Sequence, residues 1–127
     1  MSRWEVEDED WDRVRDQLRA TILEVARLEG LISYSDLIRD VPEIEGPHSH
    51  ALAAMLGEIG SHCHADGLPL LSALVVYKDK NKNGPGAGFY EAAELLGYNV
   101  SSNAMARDRF WCREVERCHQ QWARSRA

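Results

Sequence analysis

The run Leu70-Leu71-Ser72-Ala73-Leu74-Val75-Val76-Tyr77 is the segment that most limits the fold. It is almost wholly apolar and carries two adjacent β-branched residues, Val75 and Val76, before Tyr77, which suits a buried strand. Elsewhere the apolar residues recur at three- and four-residue spacing, the period of an amphipathic helix. The chain therefore reads as α+β and mainly helical, with five helices around a small sheet. At 127 residues it forms one domain, residues 1–127, long enough to bury roughly two thirds of its unfolded surface.

The helices follow from their faces and their stops. Trp11, Val14, Leu18, Ile22, Val25 and Leu28 share one face and predict a helix over 8–29. Asp8, Glu9 and Asp10 suit its first turn, where the dipole favours negative charge, and Gly30 is the expected stop. Ser33-Tyr34-Ser35-Asp36 has the form of a capping box, so a short helix over about 34–40 follows, ended by Val41-Pro42. A third helix over about 49–64 carries Leu52, Met55, Leu56, Ile59 and Cys63 on one face. Gly67 stops it, and Pro69 opens the strand. A short helix over 88–96 ends at Gly97, and a polar linker, Asn99 to Asn103, leads to a last helix over about 104–124. That helix sets Trp111, Val115, Cys118 and Trp122 on one face. Its other face holds Arg107, Arg109, Arg113, Arg117, Arg124 and Arg126 against only Asp108, Glu114 and Glu116.

Charge narrows the function classes. The formal net charge is −6, which argues against a general nucleic-acid binder. Yet all three lysines, Lys78, Lys80 and Lys82, fall between the apolar run and the glycines Gly84, Gly86 and Gly88. A basic turn followed by a glycine-rich loop at a helix start can hold a polyanion through ammonium groups and backbone N–H groups. No Gly-Lys-Ser/Thr follows the glycines, so this is not a P-loop. The plainer reading is a solvated turn built from residues that suit turns. The N-terminus lacks the apolar core of a signal peptide, and no apolar run approaches the ~20 residues of a membrane span. The expected location is the cytoplasm, where Cys63, Cys112 and Cys118 stay reduced.

Residues 31–77 then give helix, loop, helix, strand and basic loop, the order of a winged helix-turn-helix. The segment resembles the DNA-binding half of the alkyltransferase-like family, with its "V-T-Y-G-E-L-A" opening and "P-C-H-R-V-V" strand. Ile32-Ser33-Tyr34-Ser35-Asp36-Leu37 parallels the opening, and Ala51 to Ile59 stands at the recognition helix. Gly67-Leu68-Pro69 leads into Leu74-Val75-Val76. After Pro69, however, Leu70, Leu71 and Ser72 replace the family's nucleophilic cysteine, histidine and arginine. The resemblance covers roughly a third of the chain. It implies a winged-helix-like centre, about 31–97, that keeps a binding scaffold and lacks alkyl transfer. The stretch Leu68 to Leu96 also resembles a set of small uncharacterised bacterial proteins, a likeness that brings no activity with it.

Chemistry is otherwise sparse. His48-Ser49-His50 and His62-Cys63-His64 lie near the two ends of the third helix. The pairs stand about 18 Å apart on a straight helix and cannot share a metal. No metal, cofactor or catalytic residue is expected, and nothing meets the nucleophile–base–orienter pattern. The reading is a non-enzymatic bacterial binding module that contacts double-stranded DNA. Lys78, Lys80 and Lys82 would meet phosphates, and His48, Ser49 and His50 would meet base edges. The alternatives are an acidic protein-interaction partner of immunity or antitoxin type and a histidine-based metal-dependent hydrolase. The terminal helices, with Trp4, Trp11, Trp111 and Trp122, either pack on each other or serve a protein partner or self-association.

Overall fold

A computed structural model describes residues 2–3, 5–78, 83–100 and 103–123. The elements run β1 (Ser2–Arg3), β2 (Val6–Glu7), α1 (Asp8–Arg27), β3 (Ile32–Ser33), α2 (Tyr34–Ile38) and α3 (His50–Ala65). A 3-10 turn (Leu71–Leu74) follows, then β4 (Val75–Lys78), β5 (Asn83–Gly84), α4 (Ala87–Leu95) and α5 (Ala104–Trp122). The architecture is α+β and mainly helical. No helix among the described residues is long and apolar enough to cross a membrane.

The helical faces lie where spacing places them. Trp11, Val14, Leu18 and Ile22 of α1 are buried, as are Leu52, Met55, Leu56, Ile59 and Cys63 of α3. Ser33 caps α2 by accepting from the Asp36 N–H at 3.0 Å, and Ser49 caps α3 through Leu52 N–H. Both caps satisfy an end donor that would otherwise lack a partner. Gly67 ends α3 at φ 71°, with Leu68 N–H reaching back to Cys63 O at 2.8 Å.

Two expectations need correction. Leu28, on the apolar face of α1 by its spacing, is 65% exposed. The helix stops at Arg27, and Glu29, not Gly30, takes the left-handed conformation at φ 55°. Gly30 N–H then closes the six-residue turn onto Val25 O at 3.0 Å, and Glu29 N–H meets Ala26 O at 3.0 Å.

The second correction concerns the apolar run. Leu71–Leu74 is a 3-10 turn, and the strand starts only at Val75. The reason lies on α5. Glu114 Oε1 accepts from Leu70 N–H at 3.3 Å, and Cys118 Sγ donates to Leu70 O at 3.2 Å. Trp111 Nε1 donates to Ala73 O at 2.8 Å. Side chains about one helical turn apart thus engage backbone groups that a strand would give to a ladder. The turn packs against α1, α3 and α5 and forms the middle of the core.

From Val75 the ladder takes over. β4 pairs in parallel with β3, Ile32 opposite Val75 and Ser33 opposite Val76. It pairs antiparallel with β5, Tyr77 opposite Gly84 and Lys78 opposite Asn83. A parallel pair needs a long crossover, which α2 and α3 supply. β1 and β2 form a separate antiparallel pair before α1.

Candidate nucleic-acid interface

The crossover sets the start of α3 beside the end of β4. There His48 stacks on Tyr77, ring centroids 5.6 Å apart and planes inclined by 28°. Tyr77 in turn lies against Tyr34, at 4.3 Å and 34°. Three rings from three segments thus form one pile: Tyr34 from α2, Tyr77 from β4, His48 from the loop before α3. Its inner end is buried, with Tyr34 8% exposed, while His48 is exposed.

The glycine-rich loop closes this pile. Gly86 N–H donates to Tyr34 Oη at 3.0 Å. A Cβ at Gly86 would lie 2.9 Å from Tyr77 Cε2, so the loop approaches the ring closely because residue 86 is glycine. Burial pushes the Tyr34 phenol pKa up, and the Gly86 N–H works against that shift. Tyr34 therefore stays protonated and serves as an acceptor within the fold.

The expected contact residues divide into three groups. Lys78 is on the surface, its side chain 82% exposed and its Nζ 3.9 Å from the Asp36 carboxylate. Such an exposed pair contributes about 0–1 kcal/mol, so the ammonium is readily redirected. Lys80 and Lys82 lie outside the described residues. His48 and His50 stand at the α3 start, both exposed. Ser49 is engaged on both sides, accepting from Leu52 N–H and meeting the Glu5 carboxylate. It is a helix cap.

The three glycines of the expected anion loop serve different elements. Gly84 lies in β5 opposite Tyr77, Gly88 lies within α4, and Gly86 gives its N–H to Tyr34. The loop's role is to hold the ring pile. Tyr77 and Tyr34 were not singled out from sequence, although a tyrosine ending an apolar run beside lysines was a usable signal.

α3 presents an unusual surface for an acidic protein. Its one carboxylate, Glu58, accepts from Trp11 Nε1 at 2.9 Å and from Arg15 Nη1 at 2.8 Å. Outward-facing His50, Ala53, Ser61 and His64 carry no negative charge. His64 Nδ1 lies 3.2 Å from Tyr98 Oη.

Among the described residues no group of three or more His, Cys, Asp or Glu side chains could hold a metal ion. Cys63 and Cys118 are buried, and burial pushes both thiols up, away from the reactive thiolate. A cavity of about 540 Å³ opens between α1, α2 and β4. Its floor is aliphatic (Val25, Leu37, Val41, Val76), and its rim mixes Asp36 and Asp40 with Arg39 and Lys78. That rim has no nucleophile–base pair.

No family model, curated protein or solved structure matches the chain. Any functional reading therefore rests on residues and geometry.

Proposed function

We propose that this protein is a non-enzymatic, winged-helix-like module that contacts DNA through the start of α3 and through Lys78, Lys80 and Lys82. The observation that carries the reading is the contact of His48 with Tyr77. It ties the loop that leads into α3 to β4, the strand that ends at Lys78. The order β3, α2, α3, β4, β5 supports the winged-helix element of the proposal. The uncharged outer face of α3 supports it as well, because exposed carboxylates there would repel phosphates. On this reading Lys78, Lys80 and Lys82 meet the backbone, while His48 and His50 stand near base edges.

A rival role as an acidic protein partner draws on Asp12 and Asp16, exposed one turn apart on α1. Arg15 bonds to both, at 3.0 and 3.3 Å, and offsets part of that charge.

The test is a fluorescence-anisotropy titration of labelled duplex DNA at two salt concentrations. It compares wild type with the triple variant Lys78→Ala/Lys80→Ala/Lys82→Ala. The variant should bind more weakly, and its log–log salt slope should shrink by about 0.9 per lost phosphate contact. Equal binding and equal slope for the two proteins would remove the lysines from the interface.

A further inference from the structure

The pile of rings has a property that contact with paired DNA does not require. Tyr34 is tilted by 34° on Tyr77, and His48 is stacked on Tyr77 at 28°, so Tyr77 joins the three rings in one cluster. Its inner end is fixed by the Tyr34 Oη bond to Gly86 N–H and by the close approach of Gly86 to Tyr77. Its outer end is the exposed imidazole of His48. A second link, 3.5 Å between Tyr77 Oη and His48 Nδ1, helps hold the outer ring in register. Lys78, next to Tyr77 in β4, is 82% exposed, with its Nζ 3.9 Å from the Asp36 carboxylate.

We infer that the exposed His48 ring, backed by Tyr77, is a stacking platform for an unpaired nucleobase, so the preferred ligand is a nucleic acid with single-stranded character. A base laid on the exposed His48 ring adds one ring to the cluster, while an adjoining phosphate meets Lys78. Base stacking on an aromatic side chain contributes about 1–3 kcal/mol and tolerates any base, because every base has a π-face. In a closed duplex that face is covered by neighbouring base pairs. The inference rests on the proposed nucleic-acid contact and narrows its ligand. DNA and RNA strands offer the same stacking chemistry, and only the 2′-hydroxyl separates them.

The test uses the full chain with four labelled probes of one sequence: single-stranded DNA, single-stranded RNA, and the corresponding duplexes. Wild type should bind a single strand more tightly than its duplex; the tighter of the two single strands identifies the sugar. His48→Ala should weaken single-strand binding by roughly 5-fold or more, from the lower end of the stacking range. Its salt slope should not change, since no phosphate contact is lost. His48→Phe should restore the affinity because it restores a ring. Circular dichroism and thermal melting of each variant establish that the fold is intact. Equal affinity for duplex and single strand, together with a His48→Ala variant that binds like wild type, would overturn the platform and leave the DNA reading in place. Absence of binding to every probe, even at low salt, would overturn both.

Discussion

Replacing Glu114 tests how the core is assembled. Its carboxylate is 2% exposed, accepts from Leu70 N–H at 3.3 Å and pairs with Arg117 Nη1 at 2.7 Å. Glu114→Ala strands the Leu70 N–H, and an unpaired buried donor costs about 1–3 kcal/mol. It also removes one buried methylene, Cγ, at about 0.8 kcal/mol. The Arg117 pairing adds little to the loss, because the Arg117 side chain is 42% exposed. Against these losses stands the relief of no longer holding a carboxylate out of water. The net expectation is a destabilisation of about 2–3 kcal/mol. Glu114→Gln keeps the volume and the acceptor and loses only the charge, so about 1 kcal/mol is expected. Urea unfolding followed by tryptophan fluorescence measures both, with m unchanged if the denatured state is unaltered. The reasoning fails if the two variants are equally stable, or if Glu114→Ala lies within about 0.5 kcal/mol of wild type, the range of an ordinary surface substitution.

Two further outcomes follow from local geometry. Glu29 holds φ 55°, a conformation that costs a side-chain-bearing residue about 1 kcal/mol; Glu29→Gly should therefore raise stability by about 0.5–1 kcal/mol, read from the urea midpoint. Burial raises the folded-state pKa of Cys63 and of Cys118, so their contribution is fully present below the unfolded thiol value, ~8.5, and is lost as pH rises beyond it. Thermal melting should show Tm falling above pH ~8.5, and Cys118→Ala, though less stable at neutral pH, should fall less steeply over that window.

Much of the helical skeleton was legible because its signals are local. The apolar face of α3, and Ser33 with the Asp36 N–H that it caps at the start of α2, each lie within a few turns of chain. The start of the apolar run was not legible, because what decides it lies far away in sequence. Leu70 gives its backbone groups to Glu114 and Cys118, 44 and 48 residues on, and no period in the run itself reports that. Glu114 misled for a related reason. Within an arginine-rich pattern it read as a solvated residue, yet its partners let it stay in the core. The candidate site was legible in part. His48 and Lys78 were named from charge and position, but the ring that joins them, Tyr77, is 29 residues from His48, and only the crossover through α2 and α3 brings them together. That the Gly86 N–H serves Tyr34 was not legible, because the two residues lie 52 positions apart.

The most direct test of the shared surface is a ¹H–¹⁵N correlation spectrum of the labelled protein, titrated with short single-stranded and duplex DNA. The account predicts that amide signals of His48, His50, Tyr77 and Lys78 shift together and saturably, while those of the α1 outer face, Asp12 and Asp16, stay in place. Saturable shifts confined to α1 and α5, or no shifts with either DNA, would contradict it.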